Sequence, residues 1–436
     1  MRVFRFVAFA GVAGLATLPG PVPASVPSLD AHLGAVTVTR AAAPRPADSK
    51  RLPAGFRDRV VKRVVRPTGL AWTPGGRMLV TSKLGQLYVF GVHGGRTKAL
   101  DLRRPICSSG DRGLTSVAVD PNFDSNHYVY LYWTHDAHHD CTSGRPATLP
   151  EHRVVRYVLR DDDRIARRGR KVIVDHIVSN EMIHNSDDLT FGAGGFLYIS
   201  VGDGLCRIGN RARCGQDNDN AQRRNLPQGK VLRVNRRGLP PSSNPYTKHA
   251  GARRCTRPAS VQRERGPCKE IYASGFRNPW RLASRPGTGA IFVNDVGLYT
   301  WEEIDRLDKR GSYGWNAREG HCSAGSTTNC GHTRFDNPVF DYQHGACEAI
   351  TGGAFVPPSS KVNWPRRFVG KYLFTDFECG RIFRLVQKPG GGSTRATFLT
   401  GAGTPVDLAF GPYRHTKALY YLDHRAGTVH RVSYHR

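Results

Sequence analysis

Acidic residues are scarce in this chain: 35 Asp and Glu stand against 64 Lys and Arg, giving a formal net charge of +29. Such an excess favours anionic partners, but the arginines are scattered and no nucleic-acid-binding motif accompanies them, so nucleic acid is not expected. Apolar runs are short as well. Beyond residue 24 nothing approaches the roughly 18 uninterrupted apolar residues of a membrane-crossing helix, so no membrane span is expected. Helical periodicity is sparse, which disfavours helical bundles. Several catalytic signatures are missing: GxSxG, HExxH, a phosphate-binding P-loop, and a nicotinamide fingerprint after a strand. Serine hydrolases, zincins and Rossmann dehydrogenases are thereby disfavoured.

The N-terminus is where an apolar run does occur. In MRVFRFVAFAGVAGLATLPGPVPAS, Arg2 and Arg5 precede apolar residues from Phe6 to Leu18, with small residues at Val22 and Ala24. This reads as a secretory signal peptide over 1–24. An Ala/Pro-rich linker over 25–53 follows, then a folded body over 54–436. The expected localisation is secreted or cell-envelope associated, where an anionic envelope polymer could meet the basic surface. All ten cysteines follow the signal, and an even count in an exported chain favours disulfides. Spacing suggests Cys206 with Cys214, Cys255 with Cys268, and Cys322 with Cys330. Cys107, Cys141, Cys347 and Cys379 could form two longer bridges, their pairing left open.

Glycine and proline are abundant, at 48 and 28, and they punctuate a recurring pattern. A strand, a Pro/Gly turn and a second alternating strand occur at 69–82, 116–133, 188–204, 281–297, 353–377 and 407–423. Further short strands follow, such as GQLYVF and GRIFRLV. One such small sheet cannot bury both faces alone, so six of them call for a radial array. The expected fold is all-β, a six-bladed β-propeller whose loop insertions are pinned by disulfides.

Polar clusters stand at the strand entrances. His184, Asn185, Ser186, Asp187 and Asp188 precede the third repeat, GDRG presents Asp111, and GFRNPWR presents Arg277 and Asn278. Taken singly, Asp111 reads as a loop cap, and Arg277 with Asn278 as a turn before Pro279. Loops of different blades converge at one channel mouth, however, where a histidine, an arginine and a carboxylate suffice to take a proton from a hydroxyl. In NDVGLYTWEEIDRL, Gly297 sits in a turn flanked by Asp295, Glu302 and Glu303, an oxygen-rich setting that suits calcium.

DRGLTSVAVDPNF, HNSDDLTFGAGGFLYISVGDG, DNAQ with GKVLRVN, YASGFRNPWRL, NDVGLYTWEEID, GSYGWNAREG, ITGGAF and GKYLFTDFECGRIFRL resemble, in order, the motifs of the glucose/sorbosone dehydrogenase family. The resemblance runs from about residue 66 to 432. It implies an exported propeller that oxidises aldose-type sugars with pyrroloquinoline quinone and calcium, passing electrons to an external acceptor. On that resemblance His184 is the base, and Arg277 touches both cofactor and substrate. Asp111, Arg277 and Asn278 bind the cofactor, and the carbonyls of Gly297 and Leu298 hold calcium. The family's cationic clamp on the quinone carboxylates is not matched, since its positions carry Glu378, Thr404 and Val406. The alternative is a propeller that binds carbohydrate or an anionic polymer without turnover, like the family's hedgehog-interacting relatives.

Overall fold

Strand pairing sorts the chain into six antiparallel four-stranded sheets, and the computed structural model describes residues 49–138, 141, 149–186, 188–256, 266–331 and 334–435. The signal peptide and most of the linker lie outside the described residues. Ala47–Arg436 forms one body. Each blade begins with an innermost strand: Pro67–Trp72, Leu114–Val119, Leu189–Phe191, Pro279–Ser284, Ile350–Phe355 and Pro405–Tyr413. Each of these touches the innermost strands of both neighbouring blades, which closes the ring around a central channel. The fold is the six-bladed propeller that the repeats foretold.

The core is divided accordingly. Six clusters of buried apolar side chains fill the six seams, each cluster drawing on two adjacent blades. Between blades one and two, for example, Leu79, Leu87 and Val89 meet Val117, Val129 and Leu131. Alternation explains this placement, because one set of every second residue faces each seam. At roughly 1.5–3 kcal/mol for each fully buried aliphatic or aromatic side chain, the seams hold the blades together.

The sixth blade is completed by the N-terminal strand Phe56–Arg63, which pairs antiparallel with Thr428–Tyr434. Phe56 anchors it at the seam with blade five, against Trp364, Phe368 and Phe398. Asp58 accepts hydrogen bonds from Tyr421 and His430. The repeats did not disclose this strand, since only Phe56 in it is buried.

All ten cysteines are paired: Cys107–Cys141, Cys206–Cys214, Cys255–Cys268, Cys322–Cys330 and Cys347–Cys379. Every bridge ties loops rather than blade strands of the main sheets. Cys107–Cys141 and Cys347–Cys379 each join the loop before an innermost strand to the loop after the second strand, at the same end of the ring. The long segment after Trp301–Arg306 climbs back along blade three, where Ser312 pairs with Ser274, and so brings Trp315 and Glu319 to that end.

Candidate functional site

Loops from all six blades enclose a cavity of about 320 Å³ at the channel mouth, at the small end of the range for small-molecule pockets. Thr68, Asp111, Ser186, Asn278, Ala349 and Val406 contribute from the loops or strand starts of the six blades. Arg281 plugs the channel beside it. Its guanidinium donates to Asp188 Oδ1 at 2.9 Å, to the Val406 carbonyl at 3.2 Å and to the Thr68 carbonyl, and pairs with Asp407. Asp188, on its other oxygen, accepts the Leu282 amide at 2.8 Å. The second acid of the HNSDD stretch is therefore a strut between blades. Asp187 lies outside the described residues.

His184 is built into a rigid frame. Its backbone has a positive φ of 57°, and its amide donates to Asp111 Oδ2 at 2.7 Å. Gly202 packs so closely that a Cβ there would stand 2.1 Å from the His184 carbonyl oxygen. The ring is 5% exposed by residue. Nδ1 donates to Asp203 Oδ1 at 2.9 Å, which leaves Nε2 without a proton, and Nε2 accepts from Arg277 Nη2 at 2.6 Å. Burial, and next the Arg277 charge, press the His184 pKa below its ordinary value, with Asp203 opposing. The imidazole is thus neutral at neutral pH, with its basic nitrogen defined.

Asp203 is held just as firmly. Oδ1 also accepts the Leu205 amide at 2.8 Å, and Oδ2 accepts Trp315 Nε1–H at 2.7 Å. Asn218 and Asn220 donate to the Asp203 carbonyl, at 3.1 and 2.9 Å.

Arg277 and Asn278 are brought to the same place, beside His184 and Ser186. Their amides donate to the two oxygens of Asp295, at 2.9 and 2.6 Å. Burial raises the Asp295 pKa against the pull of those amides. Asn278 Oδ1 accepts the Ser186 amide at 3.0 Å. Arg277 Nη1 donates to the carbonyls of Val296, at 2.8 Å, and Gly297. The Leu298 amide, like those of Tyr299, Thr300 and Trp301, donates to Glu319 Oε1. With the guanidinium in this position the Gly297 carbonyl faces a cation, and the turn does not fit a calcium ion.

A carboxylate-bearing quinone is a different test. Ser186 Oγ and Arg277 Nε are buried without a hydrogen-bond partner, and such orphans ask for a ligand's oxygen. Lys83, His424, Trp280 and Thr351 line the cavity together with Ser186, whereas Arg277 and His184 are not among its lining residues. The residues present fit a flat, oxygen-rich, anionic molecule. Glu378 and Val406 do line the wall where cations were missed, whereas Thr404 turns away to Asp423, donating from N and Oγ1 at 3.1 and 2.9 Å. Sequence reasoning passed over Asp203, Trp315, Lys83 and His424. Only the Gly-Asp-Gly after the strand Leu197–Val201 carried a signal for one of them.

Behind His184, buried His152 donates from Nε2 to Asn185 Oδ1 at 2.9 Å and accepts from Thr134 at Nδ1. Burial, with Arg112 adding to it, pushes its pKa down from 6.5 to about 3. The unfolded chain therefore takes the proton first, and stability present above pH 6.5 is lost as the pH falls towards the folded value. At pH 5 this residue costs about 2 kcal/mol relative to pH 8. Urea unfolding at both pH values should show His152→Gln losing that much less on acidification than the wild type.

Comparison with known proteins places this arrangement among relatives. The profile described as Glucose / Sorbosone dehydrogenase matches residues 64–397. The chain is similar to the HIPL1 protein of Arabidopsis thaliana, 27% identical over 259 residues, covering 55% of this chain and 35% of the relative. It is also similar to the Aldose sugar dehydrogenase YliI of Escherichia coli, 27% identical over 250 residues, covering 57% and 58%. The matches thus span about a third to somewhat more than half of these relatives' length. Among solved structures, the PQQ-bound form of Aldose Sugar Dehydrogenase from Streptomyces coelicolor superposes with a TM-score of 0.62 at 21% identity, covering 88% of this chain and 99% of that one. At that identity the likeness speaks for the fold.

Proposed function

The chain belongs to the glucose/sorbosone dehydrogenase family, and from that premise we propose that it is an exported oxidoreductase that takes a proton and a hydride from an aldose-type sugar, with pyrroloquinoline quinone as cofactor. The observation that carries the reading is the deprotonated Nε2 of His184, fixed by Asp203 and facing Arg277. When bound, the quinone supplies the two-electron acceptor for the sugar's hydride, and an external acceptor later reoxidises it.

The chain's own part follows from the geometry. A sugar hydroxyl replaces Arg277 Nη2 as the partner of His184 Nε2 and gives its proton to that nitrogen. Asp203 keeps the proton of Nδ1 in place and stabilises the imidazolium that forms. The displaced guanidinium, still buried beside Trp315, remains available to offset negative charge on oxygen. Asp111 holds the His184 backbone, and Asn278 the Ser186 backbone, so both act by positioning as well as by lining the cavity. No step is assigned to calcium at Gly297 and Leu298. Export rests on the N-terminal sequence together with five disulfides among ten cysteines.

A second reading has one observation behind it. Arg277 already occupies the basic nitrogen of His184, as expected of a propeller that binds carbohydrate or an anionic envelope polymer without turnover. Reconstitution separates the two. Mature protein mixed with pyrroloquinoline quinone and calcium should reduce a dye acceptor with at least one aldose in a sugar panel. Absence of both dye reduction and a bound-quinone spectrum would leave the binding reading standing alone.

A further inference from the structure

Lys83 and His424 occupy equivalent places in neighbouring blades. Each is the first residue after a second strand, Met78–Ser82 in blade one and Thr416–Asp423 in blade six. Both side chains line the mouth cavity. Lys83 is half-buried, and burial depresses its pKa while the Asp111 carboxylate raises it. Its ammonium gives one N–H to the Gly110 carbonyl and forms no ion pair among the described residues. An ammonium has three donors, so two are left. His424 Nδ1 donates to the Pro67 carbonyl at 3.0 Å, so in the neutral ring Nε2 carries a lone pair, and it donates to a carboxylate only after taking up a proton from water, which the bound anion favours and burial opposes. Ser186 Oγ, on the same cavity, has no partner either. Arg66 is close enough to act on the charge of both Lys83 and His424, and Arg425 lies 5.2 Å over the ring of Phe377, another lining residue.

Partly buried donors left over around one cavity call for an acceptor-rich ligand, because each unpaired donor costs desolvation energy that an anionic oxygen would return. The remaining lining cation cannot serve, since the Arg281 guanidinium is engaged by Asp188, Asp407 and two carbonyls. We propose that Lys83 and His424 form a carboxylate-binding subsite that holds the cofactor's acid groups on the blade-one and blade-six wall, in place of cations at positions 378, 404 and 406. The inference rests on the quinone reading and specifies how this chain satisfies it. The charge of Arg66, felt at both Lys83 and His424, adds to the subsite's pull on an anion. Glu378 lines the same cavity from the loop after the second strand of blade five.

Binding tests this without turnover. Pyrroloquinoline quinone is titrated into the full-length mature protein in the absence of sugar, following quenching of tryptophan fluorescence, to which Trp280 on the cavity wall contributes. Lys83→Met and His424→Gln should each raise Kd at least tenfold, while Lys83→Arg stays near wild type and Arg414→Gln, a cation away from the cavity, changes nothing. The trimethyl ester of the quinone should bind the wild type at least tenfold more weakly than the free acid, and that preference should shrink in Lys83→Met. Glu378→Lys placed in the Lys83→Met background should recover affinity. Thermal melting checks that each variant is folded, and should Lys83→Met not fold, the ester comparison on wild type against His424→Gln carries the decision. Saturable binding with unchanged Kd in folded variants, or equal affinity for acid and ester, overturns the subsite and leaves the quinone reading intact. No saturable binding to wild type overturns both.

Discussion

His184→Ala is expected to lower the kcat of sugar oxidation by about 10²–10⁴, the range that a positioned general base supplies, while the quinone still binds. The reason lies in the arrangement of the ring. Nδ1 is committed to Asp203 and Nε2 has no proton of its own, so Nε2 is the ring atom available to accept the hydroxyl proton. The truncation leaves Asp111, Ser186 and Asn278 on the cavity wall, and hence leaves the cofactor's surroundings largely as they are. Pre-steady-state reduction of bound quinone by sugar is the direct measurement. An unchanged reduction rate would remove His184 from the chemistry. The acid limb of the wild-type pH profile should fall below the ordinary histidine value, because burial and Arg277 disfavour the protonated ring.

Asp203→Asn is expected to be nearly as damaging, by another route. Both oxygens of Asp203 accept: Oδ1 from His184 and Leu205, Oδ2 from Trp315. An amide can present one acceptor and one donor, so either Trp315 or the His184 and Leu205 pair meets an N–H with an N–H. The misfit costs about 1–3 kcal/mol of stability. It also weakens the preference for the Nδ1–H tautomer, and kcat should drop by about 10²–10³. Because Asp203 raises the His184 pKa, its loss should also move the acid limb to lower pH. Adding Trp315→Phe removes one of the clashing donors. The double variant should regain melting temperature without regaining kcat, a separation that a purely structural role for Asp203 would not produce.

The parts of the molecule that could be read in advance share a physical property, namely that their signal is local. A proline or glycine turn between two alternating runs marks each blade within about 20 residues, and pairs such as Cys206–Cys214 close over a handful of positions. His184, Arg277 and Asn278 were legible through motifs that stand beside them. What escaped is formed by distant partners. Trp315 reaches Asp203 from 112 positions away, carried by an insertion without periodicity of its own. Lys83 and His424 share a wall only because blade six meets blade one. The strand Phe56–Arg63 is half exposed and largely charged, the profile of a sheet edge rather than of a core strand, and so lacked the alternating pattern that marks the repeats. Asp188 shows the opposite failing: an acid in a conspicuous polar cluster turned out to tie Ser116, Arg281 and Leu282 together.

The clasp between Phe56–Arg63 and Thr428–Tyr434 makes the ring a lock whose key is the far end of the chain. Pairing the first strand with the last gives the fold some of the longest-range contacts its length allows, and such contacts slow folding because the loop must close before they can form. Until then the outer edge of blade six is unpaired and the seam beside blade five lacks Phe56. A ligand gripped from several blades would act as a bolt across the closed clasp.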